Sequence, residues 1–144
     1  MAEKQKTLDR IDELINYKLK KDHFDTENIR EILTGIFGDS EIKFIYPHNL
    51  YRVEEDKVFY VFHGKFFSVV TKSQYGINVV TQPYEPSRLD YSVPLDESKQ
   101  LAFLGIKLSS GETYIFDSSK DCIDDVKKTY TNLIHQIYQQ TAAN

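Results

Sequence analysis

The 144-residue chain has one cysteine, no long apolar run and no excess of basic charge, and each shortage closes off a class of protein. Cys122 has no second cysteine to bridge to, so stability has to come from packing. The longest apolar stretches, Val58 to Phe62 and Phe66 to Val70, fall far short of the roughly 20 residues of a helical membrane span. The formal charge is -4, with Lys and Arg scattered along the chain. That gives no concentrated basic face for duplex nucleic acid, and no nucleic-acid partner is expected. Behind the charges of Met1-Ala2-Glu3-Lys4-Gln5-Lys6 there is no apolar stretch of the kind a secretion signal needs, so cytoplasmic residence is the expectation.

Catalytic patterns are missing as well. The histidines at 23, 48, 63 and 135 include no pair at i, i+4 spacing and have no neighbouring ligand set, so no metal and no cofactor are expected. Ser109, Ser110, Ser118 and Ser119 lack a GxSxG turn, and the aspartates around Cys122 disfavour its thiolate. Asp117, Asp121, Asp124 and Asp125 gather where a helix should start, and carboxylates there are explained by the free N–H groups and positive dipole end. An enzyme is not expected.

What is present is a core-forming composition. Nine Phe and ten Tyr, with 40% hydrophobic and 28% charged residues, suit one packed domain over residues 1–144. Within it, 1–38 reads as a helical N-terminal extension and 39–144 as a barrel with a closing helix. Leu8, Ile11, Leu14, Ile15 and Leu19 recur at helical spacing, predicting a helix over about 7–21. A second helix, over about 26–37, starts at the capping residues Asp25 and Thr26 and ends before Gly38.

Strand patterns follow. Ile42, Phe44 and Tyr46 alternate up to Pro47, and Lys57–His63 meets Lys65–Thr71 at Gly64 as a hairpin. Ile77–Thr81 is a fourth strand, and Gln82–Ser87, with Pro83 and Pro86, reads as an irregular, mobile connection. Leu89–Val93, Leu101–Leu108 and Thr113–Phe116 complete seven strands. A final helix over about 120–140 carries the stripe Ile123, Val126, Tyr130, Leu133, Ile134 and Ile137, with Ser118 and Asp121 spaced as a capping box.

This order, with the hairpin Val58–Val70 running into Thr71-Lys72-Ser73-Gln74-Tyr75-Gly76-Ile77, and Ile106-Lys107-Leu108-Ser109-Ser110-Gly111-Glu112 leading to the helix, resembles the small bacterial pleckstrin-homology-like (PH-like) domains over about 41–140. The resemblance implies an α+β fold: a seven-stranded antiparallel, partly open barrel in two near-orthogonal sheets, closed by a C-terminal helix. The two leading helices are additional to that pattern. It also implies an adaptor or oligomerising module without a reaction. Lipid-binding members carry several Lys and Arg in the first loop, whereas this one reads His48-Asn49-Leu50-Tyr51-Arg52-Val53-Glu54-Glu55-Asp56. Phosphoinositide membranes are therefore not expected as partners. A START-like helix-grip carrier of hydrophobic small molecules is the alternative fold and function, although residues 1–6 are too polar for the strand it needs first.

His48, Asn49, Tyr51 and Arg52 supply donors able to hold an anion or carboxylate, and they form the candidate binding group. The simpler reading of that loop is a solvated turn. His135 reads as a rim residue of the last helix. The strands around Val58–Phe62 and Phe66–Val70 are apolar on both faces, so their outer face needs a cover, from the N-terminal helices or from a second copy of the chain. The expected function is a non-catalytic module binding an unidentified protein or peptide at an open sheet edge or loop mouth, with homo-oligomerisation open.

Overall fold

A computed structural model describes residues 26–38, 42–48, 56–122 and 127–143. Helix α1 spans Thr26–Phe37, and it is followed by strands β1 (Ile42–Pro47), β2 (Lys57–His63), β3 (Phe66–Ser73) and β4 (Gly76–Pro83). Strands β5 (Pro86–Ser92), β6 (Phe103–Leu108) and β7 (Thr113–Asp117) come next, then helix α2 (Lys127–Ala143). The strands form two antiparallel sheets, in the orders β1-β2-β3-β4 and β5-β6-β7, that do not close on each other. The fold is α+β. The predicted helix over 7–21 lies outside the described residues.

The core lies between the sheets. Phe44, Tyr46, Phe62 and Phe67 from the first meet Leu104, Ile106 and Phe116 from the second, and Tyr130, Ile134 and Ile137 of α2 close the end. The rings meet at steep angles: Tyr46 lies 4.8 Å from Phe116 and 5.2 Å from Tyr130, at 82° and 78°. Edge-to-face contacts of this kind suit ring quadrupoles. Helix α2 packs against β1 of one sheet and all three strands of the other. Ile123 and Val126, also predicted for its stripe, lie outside the described residues.

Two expectations need correction. Residues 120–122 do not begin the last helix. Asp117 Oδ1 accepts the Ser119 N–H at 2.9 Å and its hydroxyl at 2.6 Å, and this Asx-type turn competes locally with helix formation. Nor do Ser118 and Asp121 cap one another, because the Ser118 hydroxyl accepts the Ala102 N–H at 2.9 Å. The second correction concerns Gln82–Ser87, which is a corner rather than an irregular connection. The Tyr84 N–H donates to Lys65 O, extending the first sheet, and the Ser109 N–H donates to Glu85 O, opening the second, both at 2.8 Å. Pro83 and Pro86 sit on edge strands, where a missing N–H costs no ladder bond.

The doubly apolar strands are explained in part. On β2, Tyr60 and Phe62 face the core while Phe59 and Val61 occupy the outer face at 2% and 0% exposure. Cross-strand pairing puts Ile45, Ser68 and Val70 on that outer face too, and all are buried. Helix α1 supplies cover there: Leu33 and Phe37, four residues apart, are buried, and the Phe37 ring lies 4.8 Å from His63. The cover stops short of β4, where Ile77 and Val79 on that face are 46% and 38% exposed.

Candidate functional site

Of the candidate group, the structure describes only His48; Asn49, Tyr51 and Arg52 lie outside the described residues. His48 follows β1 directly and is held by its backbone, whose N–H donates to Val58 O at 2.9 Å. Its buried Nδ1 lies 3.3 Å from Asp121 Oδ1 without the alignment of a hydrogen bond, and its ring meets Tyr60 edge-on at 5.7 Å. Asp121 is 8% exposed and serves as a hub. Its Oδ2 accepts the Tyr46 hydroxyl at 2.7 Å and the Asp117 N–H at 2.8 Å.

Burial pushes the Asp121 carboxyl above the usual range, and the Asp117 N–H, the Tyr46 hydroxyl and His48 pull part of the way back. The same burial, together with the Asp121 charge, pushes the Tyr46 phenol far up, so that it acts as a permanent donor. Oδ2 thus spends its acceptor capacity inside the protein. Asp121, read from sequence as a dipole-compensating residue, ties the end of β1 to the turn before α2. No local signal announces this, because Tyr46 and Asp121 are 75 positions apart. Asp124 and Asp125 lie outside the described residues, and among the described residues no three His, Cys, Asp or Glu side chains converge to hold a metal ion. Cys122 uses its thiol locally, donating to Ser118 O at 3.2 Å.

A second polar string crosses the outer face. His63 Nε2 lies 2.6 Å from Ser68 Oγ, which lies 2.7 Å from Thr81 Oγ1. Burial lowers the His63 pKa, so the ring is neutral at pH 7. Ser68 is fully buried, and the string satisfies its polar groups within the fold. His135, the expected rim residue, is exposed, and its Nδ1 lies 2.6 Å from the Tyr91 hydroxyl, beside the stacked Tyr91 and Tyr138 rings 4.1 Å apart.

The remaining feature is the edge of the first sheet. Among the described residues β4 pairs only with β3. Because the Tyr84 N–H points to β3, alternation along the strand turns Gln82, Val80 and Asn78 inward to the same ladder. The N–H and C=O groups of Ile77, Val79 and Thr81 therefore point away from the sheet. Between Gly76 and Pro83 no residue is charged, and the pairing with β3 runs without a bulge. The other edges are managed. β1 carries a register shift between Ile42 and Phe44, β5 has one between Pro86 and Arg88 with Arg88 and Asp90 on it, and β7 is five residues long. Such bulges, charges and short lengths are the usual defences of an edge.

Compared with protein-family models, curated proteins and solved structures, the chain matches none.

Proposed function

We propose that this chain is a non-catalytic binding module of PH-like architecture that accepts an extended protein segment on the β4 edge. The observation that carries the reading is the row of outward N–H and C=O groups at Ile77, Val79 and Thr81 on a strand with neither charge nor bulge. Strand addition needs only such a row for affinity, with flanking side chains for specificity. Exposed Val79 and Ile77 on one face and Val80 on the other supply those side chains. Ring packing in the core, where the Phe62 centroid lies 5.0, 5.2 and 6.0 Å from those of Phe67, Tyr84 and Phe116, favours this over the hydrophobic-carrier alternative, which asks for a hollow interior. A non-catalytic role accords with an Asp121 carboxylate whose Oδ2 takes two hydrogen bonds from its own fold and with a buried Ser68.

The test exploits the alternation. Val79→Pro deletes an outward N–H and leaves the β3 ladder intact, whereas a proline at Val80 breaks that ladder. Extended peptides selected by phage display against the full chain should bind with amide shifts centred on residues 77–81 and lose binding to the Val79→Pro protein. Peptides that bind the Val79→Pro protein equally well would overturn the reading.

A further inference from the structure

We infer that the segment taken up by the β4 edge is the same strand of a second copy, joined antiparallel about a two-fold axis through Val79. The inference rests on the strand-addition reading above and names its partner. A two-fold axis perpendicular to the sheet keeps outer side chains on the outer face, so the paired residue numbers must share parity. Centred on Val79, the register pairs Val79 with Val79 of the second copy and Ile77 with its Thr81, and all three are residues whose backbone groups point outward. Every free N–H and C=O on them then finds a partner. Shifting the centre to Val80 would set Ile77 opposite Pro83, which has no N–H to return. Shifting it to Asn78 would set Thr81 opposite Tyr75, whose N–H already donates to Ser73 Oγ at 3.1 Å, so the Val79 centre is the register that leaves none of these groups unpaired.

Side chains support the same register. On the outer face it extends the pair Val70 and Val79 into an unbroken valine row across the axis. At its ends it sets Tyr75, 90% exposed in the β3–β4 turn, opposite Pro83 of the second copy, which is itself paired with the 47% exposed Phe66. Four exposed apolar side chains per chain, Phe66, Tyr75, Ile77 and Val79, acquire neighbours in one step. No charge lies within the paired segment, so self-pairing sets no like charges face to face, a condition a charged edge cannot meet. The two four-stranded sheets become one continuous sheet, with α1 and the second sheet of each copy left undisturbed.

The experiment combines sedimentation velocity of the full chain across a dilution series with disulfide trapping in a Cys122→Ser background. In the proposed register, Cα atoms of Val79 in the two copies sit about 5.5 Å apart, inside the roughly 4.4–6.8 Å a disulfide spans. Val80 and its copy are offset along the strands beyond that reach. The expected result is a reversible dimer that becomes covalent on oxidation with Val79→Cys and not with Val80→Cys. Both Val79→Pro and Val79→Lys, the latter placing like charges across the axis, should sediment as folded monomers by circular dichroism. A dimer that persists in Val79→Lys would overturn the inference, as would equal trapping at 79 and 80. A full chain that is monomeric at every concentration would also overturn it. If that monomer still bound selected peptides in a Val79→Pro-sensitive way, only the partner assignment would fall; if it bound none, the strand-addition reading would fall with it.

Discussion

Along β1, at one edge of the four-stranded sheet, the last residue is tied to α2 by the Tyr130 hydroxyl, which donates to Pro47 O at 2.9 Å, and the Tyr46 hydroxyl is tied to Asp121 at 2.7 Å. Along β4, the opposite edge of the same sheet, eight residues run without charge or bulge and present Ile77, Val79 and Val80 to solvent. The difference teaches where each edge spends its polar groups. The end of β1 spends a carbonyl on a helix side chain and a phenol on a buried carboxylate, and so contributes stability. β4 leaves every second N–H and C=O available, which contributes little to the monomer and much to association.

The comparison breaks most visibly from the β1 side. Tyr130→Ala removes a ring buried against Tyr46 and the hydroxyl bond to Pro47, and should cost about 3–5 kcal/mol by chemical denaturation. A midpoint near wild type would show that α2 is not tied to the end of β1. Next in size, Asp121→Ala strands the Tyr46 hydroxyl and the Asp117 N–H in the interior, for a loss of about 2–3 kcal/mol. Asp121→Asn keeps an acceptor there and should lose less. It should also remove a pH dependence of known sign. Because the folded carboxyl titrates above its ordinary value, the native state disfavours its ionisation, and stability falls as pH rises from the ordinary Asp value through the folded one.

On the open side the expected effects are smaller and alternate along the strand. Val80→Pro removes an inward N–H and leaves Val69 O unpaired, costing about 1–2 kcal/mol, whereas Val79→Pro should change stability by less than half of that. Equal losses would mean that the inward and outward assignments along β4 are wrong. The smallest effect belongs to His63. Burial lowers its pKa, so the native state resists protonation and stability falls as pH drops below the ordinary histidine value of about 6.5. His63→Gln should abolish that step in thermal unfolding followed between neutral and mildly acidic pH.

Strand order, the hairpin at Gly64 and helix α1 were legible from sequence because alternation, turn residues and caps are local signals. Gly64 does adopt φ +56°, as a tight turn requires. The corner at Tyr84 and Glu85 was misread, since prolines at 83 and 86 look the same in a loop and on an edge strand. The helix start was misread because the competition is an Asx turn at Asp117. Asp121 was seen but given the wrong task, because its partners Tyr46 and His48 lie a whole sheet away in sequence. The apolar character of both sheet faces was visible in Val58–Phe62, yet which strand would remain uncovered was not, since that depends on where α1 lies.

The most direct measurement is residue-resolved amide hydrogen exchange across β4 of the full chain at several protein concentrations. Asn78, Val80 and Gln82 should be protected at every concentration by their bonds to β3, and Ile77, Val79 and Thr81 should gain protection as concentration rises and the two edges meet. Rapid exchange of residues 77, 79 and 81 at all concentrations, with or without selected peptides, would contradict the claim that this edge is where the protein binds.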